Sequence, residues 1–175
     1  MKKIMMTLVA VAMATTMNAQ VYVGGGVGLS VESYDGESNT VWSILPEIGY
    51  NINEKWAVGT VIGYGESGKG DHKTKRFEVS PYARYTAVKL NMVNIFFDGG
   101  VSYIHKDYEG SKSNTFGFGI KPGVAINLND KLSFVTHFGF LGYEYEKYKD
   151  ADKGVNTFGF NLDGSSLTFG LYYNF

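Results

Sequence analysis

The sequence contains no cysteine, which excludes a disulfide framework, thiolate metal ligation and a cysteine nucleophile. Proline is scarce, with three residues at 46, 81 and 122. A net charge of −1 provides no basic field for nucleic acid. After residue 20 no apolar run approaches the roughly eighteen residues of a transmembrane helix. Glycine, in contrast, is abundant: 23 of 175 residues, nearly twice the usual ~7%. Aromatics reach 15%, almost all of them Tyr (13) and Phe (12). That aromatic content does not suit a disordered chain. The glycine content does not suit a helical bundle, where each interior glycine costs roughly 1 kcal/mol. The length suits one domain.

Residues 1–20 read MKKIMMTLVAVAMATTMNAQ. Lys2 and Lys3 precede a short apolar stretch from Ile4 to Ala14, and small and polar residues follow. This is the three-part layout of a secretory signal peptide, with cleavage expected after Ala19 and Gln20 as the first mature residue. The apolar stretch is too short to cross a bilayer core of ~30 Å as a helix. The expected division is therefore a signal peptide at 1–19 and one domain at 20–175.

From residue 20 onward, apolar side chains fall on one parity in eight successive segments, which is the period of a strand. In 20–34, Val21, Val23, Val27, Leu29 and Val31 oppose Tyr22, Gly24, Gly26 and Gly28. In 75–87, Phe77, Val79, Pro81, Ala83 and Tyr85 oppose Glu78, Ser80, Tyr82 and Arg84. In 115–128, Phe116, Phe118, Ile120, Pro122, Val124 and Ile126 oppose Gly117, Gly119, Lys121 and Gly123. In 132–145, Leu132, Phe134, Phe138 and Phe140 are expected to oppose Ser133, His137 and Gly139. Segments at 40–52, 56–65, 93–106 and 157–175 follow the same rule.

The bulky face cannot be the core of a soluble barrel, because the opposite face is lined with glycine and alanine rather than charge. Turning the barrel inside out resolves this: small residues fill a narrow lumen and large ones meet lipid. The connections agree. Asn53–Lys55, Lys89–Met92 and Asn129–Lys131 are tight, whereas Asp35–Asn39, Glu66–Lys73, Asp107–Ser113 and Glu146–Asn156 are longer and more polar. Short turns on one side and longer loops on the other are the layout of an outer-membrane barrel. The expected fold is all-β: a closed eight-stranded antiparallel up-and-down transmembrane β-barrel. Closure matters because an open edge in lipid leaves unpaired backbone groups, each costing several kcal/mol.

Glu47, Arg84, Asp98 and Lys121 point inward by parity near mid-strand. Pairing about the Asn91 turn sets Arg84 opposite Asp98, and Lys121 is expected diagonal to Asp98. A charge facing lipid costs ~2–4 kcal/mol at the midplane. In an eight-stranded lumen, just wide enough for side chains to fill, these charges form a salt-bridged plug more simply than a gate or an ion path. The three prolines share the outward parity and suggest bends or bulges. Tyr50, Trp56, Tyr85, Tyr173 and Phe175 fall near the periplasmic ends of the segments, and Trp42, Tyr64 and Tyr103 near the outer ends, giving two aromatic girdles at the membrane interfaces.

The last strand ends Leu-Thr-Phe-Gly-Leu-Tyr-Tyr-Asn-Phe at 167–175. With the leader and the eight segments, it resembles the small outer-membrane β-barrel proteins of the OmpA/OmpX-like type. Thr168, Gly170, Tyr173 and Phe175 match the polar, glycine and two aromatic positions of their terminal signal. The resemblance implies recognition of this strand by the barrel-assembly machinery, consistent with pairing through a free edge. It also implies a monomer surrounded by outer-membrane lipids and lipopolysaccharide. The long protruding hairpins of some OmpX-like members are expected to be missing, as is a periplasmic peptidoglycan-binding domain after the barrel.

Other chemistries find little support. Gly63-x4-Gly68-Lys69-Gly70 lacks the hydroxyl residue and following helix of a phosphate loop. Asp150 and Asp152 echo a calcium loop without its remaining ligands. His72, His105 and His137 lie apart in the topology, so no metal or other cofactor is expected, and His137 reads as a hydrogen-bonded lumen filler. Lipid-modifying activity, of the lipid A deacylase or acyltransferase kind, needs a nucleophile and base near the outer leaflet. His105 with Ser111 or Ser113 and Glu109 is the one candidate set. The leading expectation is a non-enzymatic barrel with an envelope or surface role. A lipid-modifying enzyme and a narrow ion-conducting pore are the alternatives.

Overall fold

The computed structural model describes residues 20–34, 37–69, 72–108, 111–149, 153–161 and 168–175. Residues 1–19, where the leader is expected, lie outside the described residues, as do Glu109, Asp150 and Asp152. Ten strands follow in order: β1 (Val21–Tyr34), β2 (Glu37–Asn51), β3 (Trp56–Lys69), β4 (His72–Lys89), β5 (Val93–Tyr108), β6 (Ser111–Asn127), β7 (Leu132–His137), β8 (Phe140–Tyr148), β9 (Val155–Asn161) and β10 (Thr168–Asn174). They form eight staves, because β7 and β8 are two halves of the seventh and β9 and β10 two halves of the eighth. Each stave pairs antiparallel with its neighbour, and β10 pairs with β1, closing the barrel.

The tight turns are built alike. Asn53 Oδ1 accepts the backbone N–H groups of Lys55 and Trp56, and Asn129 Oδ1 those of Lys131 and Leu132, each at 2.9 Å. At the opposite end the strands run further than the sequence suggests. Most of 66–73 and 107–113, expected as loops, is strand. β4 alone has 18 residues, against the ~9–11 that span a membrane. The β3–β4 and β5–β6 hairpins therefore project beyond the bilayer, correcting the expectation that protruding hairpins are absent.

The parity inversion is plain along β6, where Phe116 and Phe118 are 58% and 60% exposed while Gly117 and Gly123 are buried. Bulk faces outward on a barrel whose staves pair all the way round. The seventh stave departs from the expected parity. In β7 His137 pairs with Gly123, yet in β8 Leu141 pairs with Ile120, so the seventh stave holds one residue too many. Gly139, at φ +83°, absorbs the extra residue as a bulge. Parity flips across it, and Phe140, expected to face lipid, instead turns inward onto Gly119 and Gly142.

The three prolines share one structural setting. Pro46, Pro81 and Pro122 pair with Gly25, Thr60 and Phe97 of the preceding strand. Toward the following strand each coincides with a gap in the ladder. β2–β3 pairing skips Leu45 and Pro46, β4–β5 pairing skips Ser80 and Pro81, and Pro122 lies opposite the β7–β8 break. Proline has no N–H to donate, so each gap falls where a ladder bond would require one.

Candidate functional site: the lumen plug

Inside the barrel the side chains converge on Arg84. The register sets Arg84 opposite Asp98, and the guanidinium grips that carboxylate with two bonds, Nε to Oδ1 at 2.7 Å and Nη2 to Oδ2 at 2.8 Å. This fork-to-fork geometry is the strong form of the pair. His137 donates from Nε2 to Asp98 Oδ2 at 2.8 Å. Glu47 lies 3.6 Å from Arg84 Nη2 and accepts the hydroxyls of Tyr82 and of Tyr172, the latter at 2.5 Å. Tyr82 has one proton and gives it to Glu47, so the Tyr22 hydroxyl donates to Tyr82. Arg84, Asp98 and Glu47 are all buried.

The cation is enclosed by rings. Its Cζ lies 4.0 Å from the Phe96 centroid and 5.2, 5.3 and 5.7 Å from those of Tyr82, Tyr172 and Tyr22. Tyr22 and Tyr172 stack at 5.4 Å, and His137 meets Phe96 edge-on. Each ring is seated by a glycine directly across the ladder: Tyr22 by Gly49, Tyr82 by Gly59, Tyr172 by Gly24 and Phe96 by Gly123. At every one of these glycines an added Cβ would sit within 2.6 Å of the ring it supports. The glycine-lined face is thus a set of recesses for aromatic side chains.

The plug separates two spaces. Toward the loops lies a cavity of about 540 Å³, lined by Arg76, Glu78, Ser80, Lys121 and Glu144 among others. Toward the turns lies a vestibule of about 750 Å³, lined by Asn51, Asn94, Asn127 and Ser133 among others. Tyr172 and Val135 belong to both.

Of the four charges read from the sequence, Glu47, Arg84 and Asp98 come together. Lys121 pairs directly opposite Asp98 rather than diagonally. It lines the loop-side cavity, where its electrostatic neighbour is Glu78, because Arg84 and His137 occupy the Asp98 oxygens. His137, read as a filler, is a member of the network. Tyr22, Tyr82 and Tyr172 fall on the inward parity, but alternation alone neither gathers them into a site nor places Phe96. The available signal was a large ring on a face otherwise made of glycine.

Around the outside, Trp42 packs on Tyr64 at 5.7 Å, Trp56 on Tyr85 at 4.9 Å and Tyr103 on Phe116 at 4.9 Å. The Tyr50 hydroxyl bonds to Gln20. At the C-terminus Thr168 pairs with His137 and Gly170 with Val135. Tyr173 packs on Phe175 at 5.1 Å, and the Phe175 N–H donates to the Val21 carbonyl. In the closed barrel this strand is therefore paired on both sides.

Of the candidate nucleophile set, His105 and Ser113 do not come together, and Glu109 lies outside the described residues. The His105 Nδ1 bonds to Asn114 Oδ1 at 2.8 Å on the outer surface, whereas Ser113 faces inward and donates to Glu146 at 3.0 Å. The two lie on opposite faces of the wall. No group of three potential metal ligands occurs among the described residues. Gly63 and Gly68 lie on extended β3 with no helix after them.

The sequence signature of the family described as outer membrane protein beta-barrel domain matches residues 4–175. Among solved structures, the crystal structure of Neisserial surface protein A (NspA) superposes with a TM-score of 0.56 at 18% identity, over 89% of this chain and 97% of that one. The Yersinia pestis outer membrane protein Ail aligns over 89% of this chain and 99% of its own, at 15% identity and a TM-score of 0.41. No curated protein sequence matches.

Proposed function

Since this chain belongs to the outer membrane protein beta-barrel domain family and is an outer-membrane protein, we propose that it serves as a closed, non-conducting and non-enzymatic barrel with an envelope-integrity or surface-interaction role. The observation that carries this reading is the plug. Arg84, Asp98, Glu47 and His137 bridge the lumen between two cavities, braced by four aromatic rings. A permeation path through it would have to strip a buried, doubly hydrogen-bonded ion pair of its partners, and breaking such a pair costs about 3–5 kcal/mol. The β3–β4 and β5–β6 hairpins, reaching past the girdles, are among the parts available for surface contacts.

The remaining assignments belong to the same reading. Residues 1–19 direct export and are removed, leaving Gln20 first. Thr168, Gly170, Tyr173 and Phe175 are read by the barrel-assembly machinery before the C-terminal strand pairs with β1. The mature barrel is a monomer among outer-membrane lipids. Planar-bilayer recording tests the central point. The purified barrel is expected to insert without steady conductance, and Arg84→Ala to produce measurable current. Steady current through the unaltered protein would replace the plug reading with a narrow pore.

A further inference from the structure

The export reading leaves Gln20 as the first residue of the mature chain, and the barrel holds that residue at two points. The Asn51 N–H donates to its carbonyl oxygen at 2.6 Å, and the Tyr50 hydroxyl donates to its side-chain Oε1. One residue further on, Val21 is buried and its carbonyl accepts the Phe175 N–H at 3.0 Å. Gln20 therefore sits where β1 and β10 meet to close the barrel. Its oxygens are engaged and its nitrogens are not. Among the described residues neither the backbone nitrogen nor Nε2 has a hydrogen-bond partner. Gln20 is half-buried and lines the turn-side vestibule of about 750 Å³, which gives a departing group water to enter.

An N-terminal glutamine carries a nucleophile and an electrophile in one residue. Once the leader is cut, the freed α-amine lies a side-chain rotation away from its own Cδ, and such intramolecular attack proceeds at high effective concentration. Negative charge develops on Oε1 as the amine adds. The Tyr50 hydroxyl already donates to that oxygen, so it stands where an oxyanion donor acts. We infer that Gln20 is a modification site, at which the barrel mouth promotes closure to pyroglutamate with Tyr50 as the catalytic hydrogen-bond donor. The α-nitrogen forms a bond to Cδ, the Cδ–Nε2 bond breaks, and a proton from the amine leaves with Nε2 as ammonia. No oxidant, metal or second substrate is consumed. The product is a neutral lactam, which removes an ammonium from the closing seam beside the Tyr50 girdle, where desolvating a charge is costly. The inference rests on the export reading, with cleavage after Ala19.

The full precursor is exported into the outer membrane of a Gram-negative host, and the N-terminal peptide of the purified barrel is weighed by mass spectrometry. The peptide is expected to begin at Gln20 and to lack one ammonia. A Gln20 that keeps its amine overturns the inference. A chain that begins at another residue overturns the cleavage reading beneath it, and the two outcomes differ in mass. A second measurement separates the barrel from the residue's own reactivity and from any cyclase of the host. The leader is replaced by a removable tag, Gln20 is exposed by cutting the purified chain, and ammonia loss is timed in guanidinium chloride and after folding into phosphatidylcholine vesicles. Cyclisation is expected to run on the order of tenfold faster in the folded barrel. That is below the hundredfold or more that an enclosed oxyanion donor supplies, because Tyr50 is 44% exposed. Tyr50→Phe, which keeps the ring in the girdle, is expected to slow the folded barrel to the unfolded rate, while Tyr85→Phe leaves it unchanged. Equal rates in folded and unfolded chains overturn the site, and a folded Tyr50→Phe barrel as fast as the unaltered one overturns the role of Tyr50.

Discussion

Arg84 is held by Asp98 through two short bonds, by Glu47 at longer range, and by Phe96 through its ring face. Removing the cation leaves two buried carboxylates facing each other without a counter-ion. Arg84→Met is therefore expected to lower the free energy of unfolding by about 3–5 kcal/mol, measured by urea titration in lipid vesicles. The double variant Arg84→Met with Asp98→Asn is expected to recover a substantial part of that loss, since it removes a stranded charge along with its partner. A double variant no more stable than the single one would place the cost in lost packing around Phe96. Much of this site can be read from the sequence: inward parity selects Glu47, Arg84 and Asp98, and the turn at Asn91 fixes which two meet. His137 as the partner of Asp98 cannot be read the same way. It lies 39 residues away in sequence, on a stave whose parity the Gly139 bulge interrupts. Lys121 shows the related limit. Alternation gives a side chain's face, but which carboxylate it finds depends on who has already taken that carboxylate.

Strand elements obey two local rules here, one legible and one not. Alternation reveals the eight staves because a wall with lipid on one side and a narrow lumen on the other tolerates few exceptions. Asn53 and Asn129 mark matching turns because an Asn side chain closes the same bend in both places. The bulge at Gly139 is hidden, because this glycine is one of 23 and several of the others simply leave room for a ring. Its φ of +83° is one of three positive values among the described glycines, with those of Gly25 and Gly68. Gly139→Ala is expected to cost about 1–2 kcal/mol, the penalty of a left-handed backbone for a residue with a Cβ, again by urea titration in vesicles. An unchanged midpoint would show that the strand relieves the bulge by shifting register. Phe140 would then turn toward lipid, where a lipid-soluble fluorescence quencher on a tryptophan introduced at 140 would detect it. The prolines are legible as a set, since all three share parity and spacing from the next turn. Their cause is not, because only the paired strands reveal that each missing N–H coincides with a gap toward the following stave.

At the scale of the whole barrel, two solvents lie a single residue apart, and the middle of β6 tests how sharply they are divided. Ile120 faces outward, 46% exposed, between Phe116 and Ile126, while its neighbour Lys121 faces the loop-side cavity that Glu78 and Glu144 also line. Lumen and lipid differ at this depth in whether water and counter-charges can reach the side chain. Ile120→Lys is expected to destabilise the inserted barrel by ~2–4 kcal/mol, because no outward neighbour on β5 or β8 at this position carries a charge: Ile120 pairs with Gly99 and Leu141. Lys121→Ile removes a charge that its surroundings already solvate, so its cost is expected to be well below that of Ile120→Lys. Reversible folding into phosphatidylcholine vesicles over a urea series measures both. Equal penalties for the two variants would mean that the wall does not separate lipid from lumen as parity requires. The arrangement of girdles and plug would then lose its common frame, because each depends on which face of the wall a residue occupies and how far it lies from the nearest tight turn.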